Sequence, residues 1–193
     1  MLIWAAMAAK AGREPATYAD LNAVPSNMVG EIIHGVLRAT PRPASPHAAA
    51  ASAIGEEIGP PFKRGRGGPG GWVILDEPEL HLGADVLVPD LAGWRRERMP
   101  EMPHVAAFEL APDWICEVLS VSTHKIDRGE KLPVYARENV RHVWLVDPIE
   151  QYLEVLRLDG ETYRLIATFT ADARVHAEPF DAIELDLGVL WAR

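Results

Sequence analysis

Three side chains near the middle of the chain have the types and spacing for chemistry on a phosphate ester. Asp90 follows Pro89, Glu117 interrupts an otherwise apolar run from Trp114 to Leu119, and Lys131 lies on the helix-like segment that comes next. Two carboxylates converging from neighbouring strands suit a hard divalent cation. Mg²⁺ takes oxygen ligands, commonly only one or two of them carboxylates, and leaves its other positions to water and phosphate. Mn²⁺ suits the same donors. A lysine on that site would orient a nucleophilic water or stabilise phosphate charge.

Each of these residues also has a plainer reading. A lone acid in Trp114-Ile-Cys-Glu-Val-Leu119 carries a high desolvation cost unless a cation compensates it, and a structural salt bridge to an arginine would serve as well as a metal. Period-two alternation puts Ile115, Glu117 and Leu119 on one strand face and Cys116 and Val118 on the other. Pro-Asp is a common turn or cap dipeptide, so Asp90 gains weight only through its partnership with Glu117. Asp127, Lys131 and Tyr135 recur at i, i+4 and i+8 and share one helix face if Pro133 does not disturb it. The alternative is an exposed Asp127–Lys131 ion pair worth little.

The elements that must position these groups are legible in outline. Thr17-Tyr-Ala-Asp20 has the form of a capping box and predicts a short helix ending before Pro25. Met28 to Ala39 predicts two strands turning at His34-Gly35. An alanine-rich helix is expected from His47 to Ile58, stopped by Pro60-Pro61. Residues 63–71 read as a flexible, glycine-rich basic loop. Strands or hairpins follow over Trp72 to Leu82 and Leu87 to Trp94. Trp114 to Leu119 reads as a strand buried on both faces. Residues 123–138 look helical, with Ser122 or Thr123 as N-cap and a kink or break at Pro133. His142 to Val146 is another buried strand, and Asp159-Gly160 marks a hairpin between Tyr152 and Thr168. This order predicts an α/β or α+β domain, a mixed sheet flanked by helices with additional β hairpins.

Size and composition fit that domain. The 193 residues are 48% hydrophobic and 24% charged, an ordinary globular balance. The single cysteine, Cys116, precludes an intrachain disulfide and reads as an inert buried residue. No apolar run reaches the roughly 18 residues that span a bilayer. Residues 1–16 are expected to be an N-terminal extension ahead of a single domain over 17–193. Lys10 follows the apolar opening instead of preceding it, the wrong order for a secretory signal, so a cytoplasmic setting is expected. The net charge of −9 argues against broad electrostatic attraction to nucleic acid.

Several short motifs together are similar to the Uma2 family, a branch of the PD-(D/E)xK nuclease-like superfamily. They are Gly30-Glu-Ile-Ile-His-Gly-Val-Leu37, His47, Val88-Pro-Asp-Leu91 and Cys116-Glu-Val-Leu-Ser-Val-Ser-Thr123. Downstream come Asp127-Arg-Gly-Glu-Lys131, Tyr135 and Trp144-Leu-Val-Asp-Pro148. The resemblance runs from about residue 17 to about residue 190. It implies a restriction-endonuclease-like αβββαβ core, with Asp90 as the first motif acid and Glu117 as the second. The usual lysine position holds Leu119, and the resemblance maps the lysine onto Lys131. Glu31 matches a family position and would add a ligand, hold a ligand water or serve structure alone. Asp127 and Tyr135 are further accessory candidates. For His47, capping or packing is the favoured account.

The leading expectation is a metal-dependent endonuclease acting on DNA, with Mg²⁺ or Mn²⁺ held by Asp90, Glu117 and the Val118 carbonyl. Lys63, Arg64, Arg66, Arg95, Arg96 and Arg98 would supply phosphate contacts, unless they are only solvated. The rival is a non-catalytic homodimeric binding module that keeps the fold, which the charge and Leu119 favour. A metal-dependent hydrolase of a smaller phosphoester is a third reading. Either of the first two is compatible with a homodimer.

Overall fold

A computed structural model describes residues 14–191. The apolar opening of the expected extension lies outside the described residues. At its end the chain is already docked, since the Ala16 N–H donates to the Gly35 carbonyl at 2.9 Å.

The first helix, α1 (Tyr18–Asn22), has the capping box that its sequence implies, with Thr17 and Asp20 satisfying each other's backbone amides. Strands β1 (Met28–Ile33) and β2 (Val36–Pro41) pair antiparallel. Their turn places His34 and Gly35 at φ of 52° and 74°, the left-handed geometry that matches strand twist. Helix α2 (Ser45–Ile58) follows. Pro60-Pro61 does not stop it at once. A π-helical turn over Gly59–Lys63 continues it, closed by the Arg64 N–H on the Gly59 carbonyl at 3.1 Å. At the start of a new turn the donor that proline lacks is not required.

The expected flexible loop is tied down for a related reason. The Pro60 and Pro61 carbonyls each accept a loop amide, from Arg66 and Gly70, at 2.8 Å.

Strands β3 (Trp72–Asp76), β4 (Leu80–Leu82), β5 (Asp85–Leu87) and β6 (Leu91–Arg95) come next, then β7 (Trp114–Val118). The run after Trp72 is thus split between two sheets. The predicted strand through Pro89 is split as well, because proline cannot donate to a ladder. The second helical region passes through α3 (His124–Ile126), a π turn (Asp127–Lys131) and α4 (Leu132–Arg137). Pro133 therefore falls in the first turn of α4, behind the π turn, where its missing N–H is tolerated.

Strands β8 (His142–Asp147), β9 (Tyr152–Asp159), β10 (Thr162–Thr170), β11 (Arg174–Val175) and β12 (Leu185–Asp186) complete the chain with a short 3₁₀ turn over Leu187–Leu190.

A six-stranded mixed sheet in the order β10-β9-β8-β7-β6-β3 forms the centre. Only β7 and β8 run parallel in it, joined by the helical crossover that a parallel pair requires. The succession α2, β3, β6, β7, α3–α4, β8 is the αβββαβ core, with the β4–β5 hairpin inserted. β4 and β5 join β1 and β2 in a four-stranded sheet of order β2-β1-β5-β4.

Side-chain alternation sends the two faces of the large sheet into different cores. Trp114, Cys116 and Val118 pack with Ile54 and Ile58 of α2. Ile115 and Leu119 pack with Leu80 of β4, Ile33 of β1 and Tyr135 of α4. The second core therefore lies under the small sheet and α4 together. Among the described residues, no helix is long and apolar enough to cross a membrane.

Asp85, only 3% exposed, holds those two covering elements in relation to each other. Its carboxylate accepts the His34 N–H at 2.6 Å and the Arg137 guanidinium at 2.9 Å. Asp85→Ala should lower stability by about 1–3 kcal/mol, the range for orphaning a buried donor. Urea denaturation measures it, and Asp85→Asn should lose less.

Candidate functional site

The register of the central strands brings the two motif acids together. Leu91 pairs with Cys116 and Ala92 with Ile115, so Asp90 lies opposite Glu117 at the next position. Asp90 lies just beyond the last paired residue, so its carboxylate is placed at the strand end and not on one face. Because Val88–Asp90 has left the ladder, the Val118 N–H has no backbone partner there. Asp90 Oδ2 takes it at 2.7 Å, and this bond fixes the carboxylate beside the strand end.

Glu117 sits 2% exposed on the face turned towards α4. The π turn carries Lys131 to it, with Nζ 3.2 Å from Glu117 Oε2, 3.3 Å from Asp127 Oδ1 and 3.0 Å from Glu31 Oε1. Tyr135 donates its hydroxyl to Glu117 Oε1 at 2.5 Å. Glu31 reaches in from β1 and also accepts the Val88 N–H at 2.8 Å. The Asp127–Lys131 pair is thus no exposed surface contact, since both residues are buried.

Three buried carboxylates share one ammonium, and the ionisation of Glu117 and Lys131 reflects it. Burial, reinforced by Asp127, Asp90 and Glu31, holds the Glu117 carboxyl well above the usual carboxylate range against the pull of Lys131. Burial alone would push Lys131 down, yet Glu117, Glu31, Asp127 and Asp90 hold it well above an ordinary lysine. It remains an ammonium at neutral pH. Burial and Glu117 push the Tyr135 hydroxyl up as well. It stays a donor.

His47 belongs to the site more closely than its sequence context suggests. Its Nε2 is 3.3 Å from Asp90 Oδ1. Burial lowers its pKa, but Asp90, Asp127 and the Val118 carbonyl outweigh burial and raise it above the ordinary value. Its Nδ1 is buried without a hydrogen-bond partner. Nothing in a lone histidine after a proline cluster signals this contact; the signal is the α2 packing that delivers it. Cys116 is fully buried in the α2 core with its thiol pushed up by burial. It is a core residue.

The expected phosphate contacts are dispersed. Arg95 closes the far end of β6 from Asp90 and stacks over the Trp72 ring at 4.3 Å. Arg96 bonds the Pro100 carbonyl and Arg98 pairs with Asp113. Lys63 and Arg64 border a separate groove along α2, whose other end reaches His47 and Asp90. Arg66 is held by its own amide on Pro60 and is not part of that groove's wall.

Asp90, Glu117, Asp127, Lys131, Glu31 and His47 all face one cavity of about 530 Å³. Among the described residues, no three His, Cys, Asp or Glu side chains form a closed metal-binding group. A hard divalent cation does not need one, because one or two carboxylates suffice beside water. The donor chemistry fits such an ion: Asp90 and Glu117 are opposed, the Val118 carbonyl is adjacent, and acids outnumber permanent cations around them.

A family model described as "Uma2: Putative restriction endonuclease" matches residues 16–188. The chain belongs to the Uma2 family. A crystal structure from Anabaena variabilis, described as "a putative nuclease belonging to DUF820", aligns at a TM-score of 0.72 and 25% identity. The alignment covers 92% of this chain and 98% of that one. No curated protein matches. The Uma2 match spans every residue of the cavity floor, from Glu31 to Tyr135.

Two outcomes follow from the electrostatics of this Uma2 site. Lys131→Met should destabilise the fold by about 3–5 kcal/mol, as for any buried charge group stripped of its partner. Because the folded-state pKa of Glu117 lies above its unfolded value, protonation relieves the loss at low pH. The deficit should therefore widen as pH rises from the ordinary carboxyl value of 4.5 through the raised folded-state value of Glu117; urea titrations at several pH values measure it.

The second outcome concerns two histidines. His47 should titrate above, and His142 below, the ordinary histidine value of 6.5. The stability from His47 is thus complete below 6.5 and lost as pH rises through its folded value. That from His142 is present above 6.5 and lost as pH falls through its own. Histidine NMR titration reads both.

Proposed function

We propose that this protein is a divalent-metal-dependent endonuclease that hydrolyses phosphodiester bonds in DNA, working from one domain over residues 17–193. The observation that carries the reading is Lys131. Position 119, where the superfamily lysine is expected, holds a leucine buried in the second core. A lysine nevertheless stands 3.2 Å from Glu117, supplied by the next helical turn. The Uma2 description and the nuclease description of the solved neighbour support the same reading.

In this proposal Asp90, Glu117 and the Val118 carbonyl hold Mg²⁺ or Mn²⁺. Such a cation supplies an activated water and neutralises charge developing on the phosphate and the leaving oxygen. The chain's own residues do the rest. Lys131 orients the attacking water from the cavity floor. Glu31 and Asp127 are positioning residues that hold the ammonium, and Tyr135 fixes the Glu117 carboxylate by donating to Oε1. Burial of these groups keeps the charges strong and their geometry set in advance of the reaction. A homodimer is part of the proposal; light scattering that gives the mass of a single chain would remove it.

One observation favours the second reading, a non-catalytic module that keeps the fold. Lys131 already occupies the space between Glu31, Glu117 and Asp127 and partly satisfies them. Supercoiled plasmid and single-stranded DNA incubated at low salt with Mg²⁺ or Mn²⁺ separate the two. Cleavage that EDTA stops and that Glu117→Gln reduces by about 10²-fold or more is expected for a lost transition-state contact. Intact DNA from folded protein would favour the module instead.

A further inference from the structure

The cavity above the acid floor is walled by residues that suit a nucleobase better than a phosphate backbone. Val121 closes the loop after β7, and Pro148 and Ile149 lie in the turn after β8. Those are the carboxyl ends of the parallel pair, where open α/β sheets receive ligands. Val121 is fully exposed and Ile149 66% exposed. Pro41, Pro43 and Pro46 line the cavity as well. Three uncharged donors also line it, with Ser120 Oγ 2.9 Å from Ser122 Oγ and 3.0 Å from Thr123 Oγ1. The volume, about 530 Å³, is in the range of about 300–1,000 Å³ for small-molecule-sized ligands.

Charge at the floor points the same way. The acidic lining residues are Glu31, Glu77, Asp90, Glu117 and Asp127, against the basic Arg42, His47 and Lys131. Arg42 is engaged with Glu77 at 3.7 Å and Lys131 with its three acids. Duplex DNA carries one negative charge per roughly 1.7 Å of axis. It would bring two phosphate backbones to a cavity with an acid-rich floor, with its bases stacked out of reach of the apolar wall.

We infer that the cavity takes an unpaired nucleotide of a single-stranded nucleic acid. Its phosphate lies by the Ser120, Ser122 and Thr123 hydroxyls above Asp90 and Glu117, and its base lies against Val121, Pro148 and Ile149. Intact duplex is excluded. A duplex is attacked only where a base is already unpaired or can be extruded, which costs a few kcal/mol in paired DNA. This inference rests on the nuclease reading for its chemistry but not for its occupant.

Fluorescence anisotropy of the full-length wild-type protein, with Ca²⁺ in place of Mg²⁺, tests the occupant directly. The probes are one labelled strand, its blunt duplex and the same duplex with an unpaired loop. The strand and the looped duplex should bind at least about tenfold more tightly than the blunt duplex, the least that an unpairing cost implies. Val121→Asp and Ile149→Asp, at exposed sites that leave the core intact, should each weaken strand binding.

Equal or tighter binding of blunt duplex overturns the inference, as does no binding of any probe. Unchanged strand binding in both wall variants overturns the base-wall assignment. Wild-type cleavage, run on the same probes, reports separately. Cleavage of blunt duplex alone sinks this inference and leaves the nuclease standing. Strand binding without cleavage sinks the nuclease and leaves the occupant.

Discussion

The ammonium of Lys131, shared among Glu31, Glu117 and Asp127, is the constraint on which the site's architecture depends. Burying one cation among three acids is not an efficient route to stability. A well-packed apolar substitute of similar volume is often as stable or more so. A cluster with strongly displaced ionisation, set in a cavity, is instead what functional sites look like. Glu117 is pushed towards protonation and Lys131 away from deprotonation. The local balance is therefore short of positive charge. A divalent ion would supply it.

The fold can be read as the means of assembling that cluster from distant pieces of chain. Glu31 comes from the small sheet, Glu117 from the centre of the large one, and Asp127 and Lys131 from the helical crossover between the parallel strands. Asp85 fastens the β1–β2 turn to the end of α4, so the strand bearing Glu31 and the helix bearing Tyr135 keep their relation. On the other side α2 delivers His47 to Asp90, while Asp90 is pinned by the Val118 amide. Ligand-type groups on both sides of β7 are thereby held by backbone or by buried partners.

Much of this was legible where the signal is local. The capping box at Thr17–Asp20, the left-handed turn at His34-Gly35 and the alternation through Ile115, Glu117 and Leu119 need only neighbours in sequence, and each appears as read. The relation of Glu117 to Lys131 came through family resemblance and helical spacing together. What could not be read is what covers a helix face. The Asp127–Lys131 pair looked as compatible with water as with burial, because Glu31, which covers it, lies far away in the chain. The π turns left no mark in composition, so Pro60-Pro61 and Pro133 looked like breaks. Arg95 and Arg96 follow Asp90 closely in sequence, but an extended strand carries them to its opposite end.

The most direct test of this account is whether the acid cluster binds a divalent ion through the residues named. Thermal denaturation with and without Mn²⁺ would be followed for the wild type, Asp90→Asn and Glu117→Gln, each shown to be folded. A ligand that binds only the native state raises its melting temperature by mass action. The wild type should gain stability that grows with Mn²⁺ concentration, and both variants should lose most of that gain. A wild type indifferent to Mn²⁺, or a gain that survives both substitutions, would contradict the account.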